Sequence, residues 1–135
     1  QYVLVDKDTG VNQEVVKKLM DDVDDRAAAI YSTWTRFESE YRERQAAAEA
    51  YKSANYEGEC SRYISDFAQR ARLDNKTATN LILTQAAGLK KLQMELANQR
   101  MRKYELKHEE LSEEELQQIH NDIIRKMKAL AEAQQ

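Results

Sequence analysis

From Val23 to Tyr51 the oily side chains recur in alternating steps of four and three: Val23, Ala27, Ile30, Trp34, Phe37, Tyr41, then Arg44 as the one interruption, Ala48 and Tyr51. At about 1.5 Å of rise per residue that spacing holds one stripe on one side of a helix for roughly 40 Å. A stripe of this length needs a second helix against it. The second half of the chain offers one. Thr77 to Lys107 carries two apolar seams, Ile82, Ala86, Leu89, Leu92 and Leu96 on one and Leu83, Ala87, Met94, Ala97, Met101 and Tyr104 on the other. A helix apolar on two sides belongs between neighbours.

The expected fold is therefore all-α: a long antiparallel helical hairpin with coiled-coil-like packing, flanked by shorter helices and oligomeric. Three regions are expected, an N-terminal arm and short helix (1–20), a central hairpin and oligomerisation region (21–107), and a C-terminal amphipathic helix (108–135). The expected seam of core and oligomer is Ile30, Trp34, Phe37, Tyr41, Leu89, Leu92, Leu96 and Met101.

Local signals refine this. Proline is absent and glycine occurs only three times, so few breaks are written into the backbone. Tyr2 to Val5 is a short strand-prone run, and Asp6 to Gly10 is turn-like. Asp6 and Asp8 do not make a calcium loop, because the glycine falls one place early and Lys17 stands where the closing carboxylate is needed. Asn12 caps a short helix over Gln13–Met20, and one uninterrupted helix follows from about Asp22 to Tyr56, stopped by Gly58. Cys60 to Leu73 forms another, with Tyr63, Ile64, Phe67, Ala71 and Leu73 inward, and Asp74-Asn75-Lys76 turns the chain. Ser112-Glu113-Glu114-Glu115 is a capping box stapled by Leu111 and Leu116, opening a last helix with Leu116, Ile119, Ile123, Met127 and Leu130 on one stripe.

Nothing along the chain marks a catalytic, cofactor or metal site. His108 and His120 have no histidine or cysteine one helical turn away, and zinc needs three or four clustered ligands. The lone Cys60, in Gly-Glu-Cys-Ser-Arg, has no activating neighbour and no disulfide partner, as expected of a reducing compartment. No glycine-rich phosphate loop exists, and no apolar run approaches a membrane span. A non-enzymatic cytoplasmic protein without membrane or small-molecule partners is expected.

Charge is segregated. Residues 1–59 carry 8 basic and 13 acidic side chains, residues 60–107 carry 10 and 4, and residues 108–135 carry 3 and 7. The basic middle faces either phosphates or the acidic arms of its own or a neighbouring subunit. Within it, Ile64 to Ile82 resembles the helix-turn-helix of DNA-binding proteins. Ala68 would stand at the helix crossing, Leu73 would plug the turn, and Ala78 and Leu81 would face inward. Lys76, Thr77, Thr79 and Asn80 would then point outward, and Arg62, Arg70, Arg72, Lys90 and Lys91 would follow the phosphate backbone. A plain antiparallel helix hairpin explains the same residues.

One resemblance extends further. Asp21-Asp22-Val23-Asp24-Asp25-Arg26 opens a long helix, Cys60-Ser61-Arg62-Tyr63 opens the next, and Thr77-Ala78-Thr79-Asn80 begins a third running to Leu92. Over residues 21–95 this order resembles the central region of small terminase subunits of tailed double-stranded DNA bacteriophages. The resemblance implies a homo-oligomeric ring that recognises double-stranded viral DNA in the host cytoplasm and regulates a large packaging ATPase-nuclease. The central hairpin would be its oligomerisation element.

Overall fold

A computed structural model describes the backbone of residues 2–108 and 110–133, with side chains from Gln13 onward. Five α-helices appear and no strand among the described residues: α1 Tyr2–Trp34, α2 Glu38–Ser53, α3 Arg62–Ala71, α4 Asn75–Met101 and α5 Glu113–Ala133, with a 3-10 segment Arg102–Lys107 after α4. None of these helices is long and apolar enough to cross a membrane.

Two expectations about helix boundaries are corrected. The strand-prone run and turn over 2–10 lie inside α1, since Gly10 alone does not break a helix that no proline interrupts. The side chains of those residues lie outside the described ones. Conversely, the single helix expected from Asp22 to Tyr56 is two, parted by a turn at Thr35–Phe37 where Glu38 N–H bonds to Thr35 C=O at 3.1 Å. Trp34, Thr35 and Phe37 are aromatic or β-branched and weak helix formers, with only Arg36 among them favouring a helix. The four-three spacing of the stripe runs across this turn unchanged in the sequence.

The ends of α2 and α3 share one device. Tyr56 N–H reaches Tyr51 C=O at 2.8 Å and Asn55 N–H reaches Lys52 C=O at 2.9 Å, closing α2 through a left-handed Asn55. The cap thus falls on an asparagine three places before Gly58. At α3, Leu73 N–H reaches Ala68 C=O at 2.8 Å around Arg72, whose φ is 60°. A side chain with a Cβ is strained there and glycine is not. Arg72→Gly is therefore expected to raise stability by about 0.5–1 kcal/mol, read as a higher urea midpoint at unchanged slope.

The chain groups into two compact units. The second takes residues 34–91, where α2, α3 and the first part of α4 enclose Ala48, Ile64, Ala68, Ala78 and Ile82, with Tyr51, Cys60, Phe67, Leu73 and Leu83 packed around them. Three alanines in this core let the helix axes approach closely. The other takes the described residues of 1–33 and 92–135. It buries Val23 and Ala27 of α1, Leu96 of α4, Leu106 of the 3-10 segment, and Leu116, Ile123 and Met127 of α5. The capping box is present in both directions, Ser112 N–H to Glu115 Oε1 at 2.9 Å and Glu115 N–H to Ser112 Oγ at 3.0 Å.

Candidate functional site

In the second unit, α3 meets α4 at an elbow. Asp74 Oδ1 accepts from Thr77 N–H at 2.6 Å and starts α4; this backbone bond holds the Asp74 carboxyl below its usual pKa. Leu73 packs against the core as the turn plug, and Ala68 and Ala78 are buried where the helices cross. Leu81 does not face inward as expected. It is exposed, and Ile82, four residues from Ala78, takes its place.

The basic candidates are exposed on both arms of this elbow. Arg70, Arg72, Lys76 and Thr77 are exposed around the turn, and Lys90 and Lys91 are exposed further along α4. Among the described residues no carboxylate pairs with Arg70, Arg72, Lys90 or Lys91, whereas Arg62 is held by Asp66 at 3.1 Å. Lys76 Nζ lies 5.0 Å from the centre of the Tyr56 ring.

Two of the four residues expected to point outward are placed otherwise. Thr79 is fully buried, its hydroxyl donating to Asn75 C=O at 2.7 Å. Asn80 is half-buried and its Oδ1 accepts from Tyr56 O–H at 2.9 Å. Tyr56, absent from the sequence-based set, pins the segment after α2 onto α4. Its only signal was its place beside Asn55, a residue that tolerates left-handed backbone.

The seam residues separate. Trp34 and Leu96 are buried, Ile30, Leu89 and Leu92 half-buried, and Phe37, Tyr41 and Met101 are 50%, 42% and 45% exposed. Phe37 and Tyr41 form an edge-to-face pair with ring centres 6.3 Å apart.

The first unit holds polar chemistry that the sequence did not announce. His120 Nε2 lies 2.7 Å from Asp22 Oδ2, linking α5 to α1. Lys103 Nζ lies 2.8 Å and Arg100 Nε 2.8 Å from Asp24 oxygens, and Arg102 Nη1 lies 2.8 Å from Asp122. An open groove of about 880 Å³ runs beside this network, with Val16, Met20, Leu106, Leu111 and Leu116 in its walls. Its Lys17 and Lys103 are ion-paired to Asp21 and Asp24. Among the described residues no nucleophile–base pair lines it, and no group of three or more His, Cys, Asp or Glu is placed to hold a metal. Burial pushes the Cys60 thiol pKa up, away from the reactive thiolate.

No family model matches the chain, and no solved structure matches it. The chain is similar to a protein of Haemophilus phage HP1 (strain HP1c1), named as an uncharacterized 23.3 kDa protein in the lys 3′ region, with 67% identity over 130 residues. The match takes in 96% of this chain and 65% of that relative's length, a little under two thirds.

Proposed function

We propose that this chain is a non-enzymatic, self-associating helical subunit that holds duplex DNA at the α3–α4 elbow, as a regulator of viral DNA packaging of the small-terminase type would. The observation that carries the reading is a set of exposed cations, Arg70 and Arg72 at one turn with Lys76 beside them, then Lys90 and Lys91 along α4; among the described residues no carboxylate pairs with Arg70, Arg72, Lys90 or Lys91. In the first unit the comparable side chains Arg100, Arg102 and Lys103 are all held by carboxylates. Cations left without partners on one surface are what a phosphate backbone recruits. The similarity to a phage protein supports a viral setting.

With Thr79 buried and Asn80 bonded to Tyr56, contact goes to phosphates and not to base edges. Binding is then weakly dependent on sequence and strongly dependent on salt. If about four phosphates are engaged, a fourfold rise in salt weakens binding on the order of 100-fold. Fluorescence anisotropy with a duplex at two salt concentrations measures this. Replacing Arg70 and Arg72 by glutamate should abolish binding at both. Undiminished binding by that variant removes the elbow from the proposal.

A second reading rests on the exposed Phe37–Tyr41 pair, an aromatic surface suited to a protein partner. In that case the chain is a helical adaptor or scaffold that docks only protein. Absence of duplex binding at low salt decides for it.

A further inference from the structure

The segment Met94–Tyr104 has two opposite sides, one covered and one apolar and bare. Leu96, Lys103 and Leu106 are buried, with Leu92 and Gln99 half-buried beside them. On the other side Met94, Met101 and Tyr104 are 63%, 45% and 52% exposed, and Ala97 between them is exposed as well. Steps of three, four and three give these four residues the a/d spacing of a helix-pairing seam. The 3-10 geometry after Met101 eclipses residues three apart, which stacks Tyr104 directly along from Met101.

We propose that this face pairs with the same face of a second copy of the chain, antiparallel, about a two-fold axis. Charge decides the direction. Lys90 lies on the same stripe, four residues before Met94, so a parallel pair would set it against the partner's Lys90 within the seam. An antiparallel pair aligns Met94 with the partner's Tyr104 and Ala97 with the partner's Met101. The two Lys90 side chains then stand at opposite ends, roughly 25 Å apart along the helices. The same alignment brings Lys91 beside the partner's Glu105, twice by symmetry. Glu105 keeps 41% of its side chain exposed while bonded to Arg102, so it has room for a second cation. At the axis Arg100 approaches the partner's Arg100, each neutralised by Asp24 of its own chain at 2.8 Å. Ala97 at the centre lets the helices close on each other.

A seam this short lies at the small end of specific interfaces, so pairing in the micromolar range follows. The proposal deepens the self-association in the functional reading and rests on that part alone; it stands or falls independently of DNA binding. Light scattering on the whole chain at about 100 µM should give twice the chain mass, falling to the single mass on dilution. Met94→Glu with Met101→Glu should give the single mass at every concentration with an unchanged helical circular dichroism spectrum, because both side chains are exposed. For direction, a Cys60→Ser background isolates the new thiols. Met94→Cys mixed with Tyr104→Cys should form a disulfide on oxidation, and Met94→Cys alone should not. A single mass for the unmodified chain at that concentration, a double mass retained by the glutamate variant, or crosslinking by Met94→Cys alone each overturns the proposal.

Discussion

Trp34→Ala is expected to cost about 3–5 kcal/mol, whereas Phe37→Ala, one step further along the same stripe, is expected to cost under about 1 kcal/mol. Trp34 closes α1 at 4% exposure, so its removal leaves a large void that the surrounding helices cannot refill. Phe37 sits in the turn before α2 at 50% exposure, with Arg36 stacked on its ring at 5.2 Å. Little water is displaced there, so little stability is lost. The two variants together test the break at Thr35–Phe37. An uninterrupted helix would place both rings on one seam, and the two costs would be similar. Urea unfolding of both variants gives the comparison, and equal losses would restore the continuous stripe.

That break shows where sequence pattern stops being informative. Ser112 and Glu115 announced their helix start because both partners lie within three residues and each satisfies the other's backbone N–H. The all-helical class was equally plain from spacing and from the lack of proline. The turn at Thr35 was hidden because the four-three pattern runs straight across it, and a pattern records side-chain type and not backbone path. Thr79 was misplaced for a different reason. A hydroxyl normally argues for the surface, but bonded to Asn75 C=O in its own helix it enters the core at little cost. Asp22 and His120 are 98 positions apart, and no local rule relates an acidic helix start to a histidine in the last helix. Arg70, Arg72, Lys76, Lys90 and Lys91 were legible because exposure is the default for a cation, and their grouping needed only the turn between α3 and α4.

The second large effect concerns charge inside the first unit. Lys103 is only 8% exposed, and its ammonium lies 2.8 and 2.9 Å from the two Asp24 oxygens. Asp24→Ala strands that ammonium away from water, and a loss of about 2–3 kcal/mol follows, the upper range being reduced because Asp24 itself is partly solvated. Arg100 loses the same partner but remains exposed and adds little. Lys103→Met removes the charge and keeps the volume, so adding it to Asp24→Ala should recover more than half of the loss. Acid makes the same deletion without mutation. The hydrogen bond from Lys103 holds the Asp24 carboxyl below its usual pKa. Burial pushes Asp22 up, but bonds from His120 and Arg26 outweigh it, and Arg102 holds Asp122 lower still. A carboxyl depressed on folding contributes stability that is complete above its unfolded value and is lost as pH falls through the folded one. The unit should therefore be stable at neutral pH and weaken below about pH 4, and the combined Asp24→Ala, Lys103→Met variant should show a shallower acid slope. If Asp24→Ala costs no more than an exposed surface pair, or its acid slope matches that of the unmodified chain, the carboxylate is an ornament on α1 and apolar contacts alone hold the helix.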